Sequence, residues 1–510
     1  MNTNKNLTIQ ETFNLAVKNH REDKIDFAQE LYNQVLKTDP NHTDANNNLG
    51  LIFKKLGENQ KAIGYFEKAI SIDPNYVIAL NNLGIIFKEL RENQKAIDYF
   101  EKAISIDPNF ANALNNLGIV FKELRENQKA KECYEKAIAI NPNFANALNN
   151  LGIIFQELRE NQKAKDCYEK AIAINPNYVN ALNNLGTIFQ ALGENQKAKG
   201  CYEKAIAINP NFANAHYNLG VIFKELGENQ KAKGCYEKTI SINPNFANAY
   251  RNLANLFYLI GEFQNAKECF EKAIQIKPGN VHASNGLLKS LYEMDDKSIL
   301  FNELDSITKE GKMNAVIGSI FSRAEVKYGV KKENPFCNDP LHFVLKTDLT
   351  EKYDFKNMIV NCVDNILKNN YLSKRTQTLI TNGYQTAGNL FMNEDFNTEE
   401  IQRIIHAEIE KYRLKFKDSK EGFLNNWPTN YSLAGWLISM KKGGKLKAHI
   451  HDRGWLSGSI YVNVPPKLQT NSGNLVVCID ENGNKKSIDV VNGSLCLFPS
   501  SLLHYTIPFE

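Results

Sequence analysis

ALNNLGIIFKELRENQKAIDYFEKAISIDPNF, residues 79–110, decides the fold of the larger part of the chain. Its apolar residues fall at helical spacing in two blocks, interrupted at RENQ and again at DPN, so the stretch predicts a helix hairpin. Gly84 and Ala96 are small where the two helices must approach, and Phe87 and Phe100 are expected to fill the space between hairpins. Pro108 stands where the second helix has to stop, because its ring fixes φ and its nitrogen has no proton to donate.

Outward from this unit the pattern recurs. Pro40, Pro74, Pro108, Pro142, Pro176, Pro210, Pro244 and Pro278 lie 34 residues apart, a period that belongs to a solenoid rather than to a globular domain. Leu80, Leu83, Gly84, Phe87, Ala96, Phe100, Ala103 and Pro108 resemble the small and large positions of the tetratricopeptide repeat. Eight units are expected from about residue 9 to 278. The first is irregular, with Ala16 in the glycine place and Asn19 in the aromatic one, and the last carries Ala254, as suits end units that face solvent. Residues 280–295 are expected to close the stack, giving an all-α solenoid over 9–295, a helical connector over 296–335 and a second domain over 336–510.

Asn48, Asn82, Asn116, Asn150, Asn184, Asn218 and Asn252 occupy one place in the first helix of successive units, usually behind a second asparagine such as Asn81, Asn115, Asn149 or Asn183. That helix lines the concave surface in repeats of this kind. The ladder resembles the groove of the O-linked N-acetylglucosamine transferase repeats, where such side chains hold an extended peptide by its backbone. An amide offers donors and acceptors that pair with a peptide unit whatever its side chain. Asn82, Asn116, Asn150, Asn184 and Asn218 are therefore the expected contacts to a protein or peptide partner; the alternative is that they only cap or solvate helices.

The second domain is of different character. Strand-like runs YSLAGWLISM, SGSIYVNVP, GNLVVCID, KSIDVV and SLCLFP alternate with Gly-Asn and Pro turns, as a β-barrel or sandwich requires. Two amphipathic stretches, 354–370 and 398–418, are expected to pack as helices on the outside. In KAHIHDRGWLSGSIYVNVP, residues 447–465, His449 and His451 are spaced i, i+2, so a strand through this run sends both imidazoles to one face. His504, in SLCLFPSSLLHYTIPF, supplies a third ligand from a distant strand. Three such side chains make a facial set with open positions; it suits Fe(II), although neutral imidazoles also take Zn(II), Ni(II) or Cu(II). Asp452 would point to the opposite face of the strand, and His20, His42, His216, His282, His342 and His406 receive no role.

GYQTAGNLF (383–391), WPTNYSLAGWLISMKKGGKLKAHIHDRGWLSGSIYVNVP (427–465) and GSLCLFPSSLLHYTIPF (493–509) resemble the 2-oxoglutarate/Fe(II)-dependent oxygenases that follow tetratricopeptide repeats in bacterial proteins. The resemblance implies a double-stranded β-helix, or jelly roll, with iron near His449, His451 and His504, and 2-oxoglutarate as co-substrate. Most members pair His-x-Asp/Glu with a distal His, whereas the second place here is His451. They also anchor the co-substrate with an Arg on the strand after the distal His. The sequence given ends at Glu510, six residues past His504, so that Arg is expected beyond Glu510 or the domain is degenerate. Lys447 and Arg453 are the nearest basic residues and read as solvated charges; Trp436 and Tyr461 are expected to line the pocket. The resemblance implies a hydroxylase whose solenoid recruits its substrate. The alternatives are an interaction scaffold with an inactive oxygenase-like domain, and a three-His metal dioxygenase that uses no 2-oxoglutarate.

Composition sets the bounds. With 61 basic and 57 acidic residues the net charge is +4, so no global field argues for nucleic acid or a membrane surface. No apolar run approaches membrane-spanning length and the first residues lack a signal-peptide pattern, which makes a cytoplasmic protein the expectation. Cys133, Cys167, Cys201, Cys235 and Cys269 recur with the repeat, and Cys337, Cys362, Cys478 and Cys496 show no metal-type spacing, so all nine are read as reduced thiols.

Overall fold

The computed structural model describes residues 7–368, 374–375, 379–393, 396–467, 469–481 and 483–509. It divides into two compact units, Met1–Pro244 and Asn245–Glu510. The first unit is a succession of helix hairpins, from Ile9–Arg21 with Ile25–Thr38 to Ala213–Glu225 with Asn229–Ile242. The second opens with an eighth hairpin, Ala247–Leu259 and Phe263–Ile276, and continues through helices Val281–Glu293, Lys297–Lys309 and Ala315–Tyr328.

Six of the hairpins, the second to the seventh, are closed by a ring laid on a glycine. A Cβ on Gly84 would stand 2.5 Å from Cε1 of Phe100, which is wholly buried, and Gly50 with Phe66 or Gly152 with Tyr168 repeat the relation at 2.6 Å. Phe87 stacks on Tyr99 of the same unit at 5.4 Å. These rings therefore pack against their own hairpin, while rings at the Phe87 position also meet the preceding one, Lys131 lying over Phe155 at 5.6 Å and Lys165 over Phe189 at 5.7 Å. The turn between helices takes a left-handed residue: Gly57, Gly193 and Gly227 at φ 77°, but Arg91 at 61° and Arg125 and Arg159 at 62°. For an arginine that conformation costs about 1–2 kcal/mol.

In the second unit nine strands are found among the described residues: β1 (Leu345–Asp348), β2 (Lys374–Arg375), β3 (Ile380–Thr386), β4 (Ile438–Leu446), β5 (Leu456–Ile460), β6 (Leu475–Cys478), β7 (Lys485–Ile488), β8 (Ser494–Pro499) and β9 (Leu503–Thr506). They form three antiparallel sheets in the orders β1-β8-β5, β2-β3-β4 and β7-β6-β9. The last two join edge to edge, since Leu446 N donates to Thr506 Oγ1 at 2.8 Å and Phe509 N to Gly444 O at 3.2 Å. The strand expected through YSLAGWLISM begins only at Ile438.

Helix Glu399–Lys415 packs Ile401, Ile404 and Tyr412 into one core with Leu495 and Leu497 of β8, and Val363 of helix Asn361–Lys368 joins them. The predicted helix over 354–370 starts as a short π turn, Lys356–Val360, and its last two residues lie outside the described ones. A second core, including Val477, Val490, Cys496 and Phe498, fills the space on the other side of β8. Among the described residues no helix is long and apolar enough to cross a membrane. All nine cysteines are free.

Candidate functional site

His449, His451 and His504 come together with one donor atom each, all within 4.8 Å of one another. The route differs from the expected strand. β4 ends at Leu446 and β5 starts at Leu456, and His449 and His451 lie on the segment between them, while His504 is on β9. His449 makes a single bridge to His504, with backbone bonds of 3.2 Å and 3.0 Å, and the chain then turns, Gly454 N donating to His451 O at 2.8 Å. Ring centroids are 4.2 Å apart for His449 and His504, 4.8 Å for His451 and His504, and 5.3 Å for His449 and His451. The turn, not strand alternation, thus brings His451 beside His449. It also carries Asp452 away, where Oδ2 accepts from Lys289 Nζ at 2.6 Å.

Each ring is supported differently. His449 Nδ1 donates to Lys447 O at 2.8 Å, which leaves Nε2 with its lone pair. His451 Nδ1 lies 3.2 Å from Ser457 Oγ. Nδ1 of His504 is shielded from solvent and has no hydrogen-bond partner among the described residues. A buried polar atom left so costs about 1–3 kcal/mol unless something binds it. Burial, then the charge of its neighbour His449, lowers His451 to about 4; Asp452 opposes this weakly. Burial also lowers His449, and burial followed by both other histidines takes His504 well below its ordinary range. The result is a set of neutral imidazoles, one with an unsatisfied nitrogen, which is the donor chemistry a divalent transition metal takes.

Around the triad, Trp436 meets His451 edge-on at 5.8 Å. Tyr461 packs instead with Val477, Val490 and Phe498; the ring that reaches His504 from that side is Phe498, at 5.0 Å. Lys447 is exposed, and Arg453 Nη2 lies 3.3 Å from His282 Nε2, so His282, set aside from sequence, faces the histidine turn. Ser457, Ser500, His282 and Lys289 had no sequence signal, being single polar residues that only the folded chain brings to the turn.

The asparagine ladder is also built. Nδ2 of Asn82, Asn116, Asn150, Asn184 and Asn218 donates to Oδ1 of Asn47, Asn81, Asn115, Asn149 and Asn183 at 3.0, 2.9, 3.0, 3.1 and 2.9 Å. Each bond links one repeat to the one before it. These side chains neither cap helices nor stand free in solvent: Asn82 and the acceptors Asn47, Asn81, Asn115, Asn149 and Asn183 are buried, and Asn116, Asn150, Asn184 and Asn218 are half-buried.

Comparison with known proteins agrees with both parts. Tetratricopeptide repeat descriptions match residues 42–109 and 143–211, and also 111–144, 213–246 and 247–280. The family described as "Putative 2OG-Fe(II) oxygenase" matches 434–510. No curated protein matches the chain. Among solved structures, the APC/C hetero-tetramer Cut9-Hcn1 is similar at 19% identity over 52% of this chain and 52% of that one, with a TM-score of 0.45; the chain thus spans about half its length. PilF of Pseudomonas aeruginosa is 22% identical over 41% of this chain and 94% of its own, with a TM-score of 0.38. YrrB, titled a TPR protein with an unusual peptide-binding site, is 24% identical over 36% and 95%, with a TM-score of 0.30. The chain carries tetratricopeptide repeats through its N-terminal region and, at residues 434–510, a domain of the putative 2OG-Fe(II) oxygenase family.

Proposed function

We propose that this is an Fe(II)- and 2-oxoglutarate-dependent oxygenase of the cytoplasm whose solenoid delivers a protein or peptide substrate. The observation that carries the proposal is the convergence of His449, His451 and His504 within 4.8 Å, in a segment matched by that oxygenase family. These three would hold the metal, and Fe(II) with 2-oxoglutarate supplies the oxidising chemistry that hydroxylates a C–H bond. The chain's own residues orient and enclose. Lys447 O fixes the His449 ring, Phe498 backs His504, and Trp436 stands beside His451, where it can pack on an entering side chain. The test is anaerobic Fe(II) titration of the full chain, followed by succinate release from 2-oxoglutarate in air. His451→Ala should weaken Fe(II) by more than about 100-fold, the upper range for losing only a ligand's hydrogen-bond support. Equal affinity in that variant would end the pairing of His449 with His451.

A second reading, a repeat scaffold with an inactive oxygenase-like domain, draws on Asp452. Its carboxylate is committed to Lys289, so the triad has no acidic member. Metal uptake without any succinate would favour that reading.

For the solenoid we propose that Asn82, Asn116, Asn150, Asn184 and Asn218 bind a peptide backbone with the hydrogen-bonding capacity that the ladder leaves over. An amide nitrogen has two protons, and each ladder bond uses one. Asn116, Asn150 and Asn184 together changed to Ala should abolish capture of an extended peptide selected from a displayed library on the wild-type chain. Helical content should hold while stability falls by roughly 1 kcal/mol per lost bond. Undiminished capture would make the ladder purely structural.

A further inference from the structure

We propose that Ser457 and Ser500 are positioning residues that select the metal-binding tautomer of His451. The inference rests on the metal reading above and adds to it how one ligand is prepared. Ser457 Oγ lies 3.2 Å from His451 Nδ1 and 2.7 Å from Ser500 Oγ, and both serines are buried, at 4% and 0% exposure.

A hydroxyl has one proton, so its direction decides the chemistry of the ring. If Ser457 donates to Ser500, its lone pair accepts the Nδ1 proton of His451, and Nε2 is bare and able to ligate. If Ser457 donates to Nδ1 instead, the ring's proton must sit on Nε2, and that nitrogen cannot bind a metal. His449 faces no such choice, because its partner is a carbonyl oxygen that can only accept. His451 therefore depends on Ser500 to hold the Ser457 proton.

The fold holds Ser500 for this purpose from three sides. Ser457 is on β5 and pairs with Phe498 of β8, and Ser500 follows the end of β8, its N donating to Trp455 O at 3.3 Å. From the turn, Gly454 comes so close that a Cβ there would stand 2.5 Å from Ser500 Oγ. Gly454 also closes the turn on His451 O, so the same residue sets the ring's backbone and confines the hydroxyl that orders its proton.

The experiment uses the ¹⁵N-labelled full chain. Long-range ¹H–¹⁵N spectra of the metal-free protein read the tautomer of His451, Co(II) absorbance titration reads affinity, and thermal unfolding reads folding. Wild type should show Nε2 of His451 unprotonated. Ser457→Ala should give a mixture of tautomers and lower Co(II) affinity about 10-fold or more, the range for losing a ligand's supporting hydrogen bond. Ser500→Ala should shift both in the same direction, and Ser457→Thr, which keeps the hydroxyl, should restore both. A folded Ser457→Ala protein with wild-type tautomer and affinity would overturn the proposal while the metal reading stands; wild type that takes up no Co(II) would overturn both. Should Ser457→Ala not fold, Ser500→Ala decides in the same way.

Discussion

Gly422→Ala should lower the unfolding temperature of the C-terminal unit by about 6–12 °C, corresponding to a loss of at least about 3 kcal/mol in a unit of this size. A Cβ at 422 would meet Pro335 O at 1.9 Å and Met313 Sδ at 2.8 Å. The nearest atom is backbone, which has no rotamer to move to. Relief requires separating the chain at 335–336 from that at 422–423. That separation breaks the bond from Phe423 N to Phe336 O, 2.8 Å, and the stack of the two rings at 5.6 Å. Both rings are fully buried, and Trp455 leans on Phe336 at 5.4 Å while its Nε1 donates to Phe423 O at 2.5 Å. The damage therefore passes to the residue next to Gly454 and to the histidine turn. Differential scanning calorimetry of the full chain should show the shift, with Co(II) uptake weakened in parallel. The same substitution at Gly64, a helical site with nothing within 4 Å, should stabilise by about 0.5–1 kcal/mol. A Gly422→Ala protein of wild-type stability would show that this close approach does not exist in solution.

Phe100→Ala should cost about 3–5 kcal/mol, because the ring is wholly buried and no neighbour can replace it. Gly84→Ala should cost about 1–3 kcal/mol by forcing a methyl into the same ring at 2.5 Å. Combined, the two should cost clearly less than their sum, since truncating the ring removes the clash that the methyl creates. In a stack stabilised by nearest neighbours, hydrogen exchange should quicken first in Val77–Glu89 and Asn93–Ile106. Strict additivity in urea unfolding would mean that the ring and the glycine do not meet.

The glycine and the ring are both visible in the sequence as repeat positions, the glycine as the point where two helices approach, but that Phe100 is the ring lying on Gly84 is not. Periodicity tells which residues are equivalent, and Gly84 and Phe100 recur with the same 34-residue step whether they meet within a hairpin or across two. The three histidines were also legible. His449 and His451 are two residues apart, and the turn that replaces the predicted strand also brings their rings together, with centroids 5.3 Å apart. The ladder positions could be read, but not that Asn116 reaches Asn81, because that contact depends on how one hairpin stacks on the next. Ser457 and Ser500 were silent altogether: 43 residues apart, they gain meaning only when β5 pairs with β8.

The ties between the last helices and the histidine turn bear on how such a chain can change over generations. Lys289 holds Asp452 at 2.6 Å and His282 meets Arg453 at 3.3 Å, so two supports of the turn lie in helix Val281–Glu293. Duplicating or losing whole 34-residue units upstream of Pro244 would leave those supports in place. The number of repeats could thereby change while the histidine turn keeps these two supports.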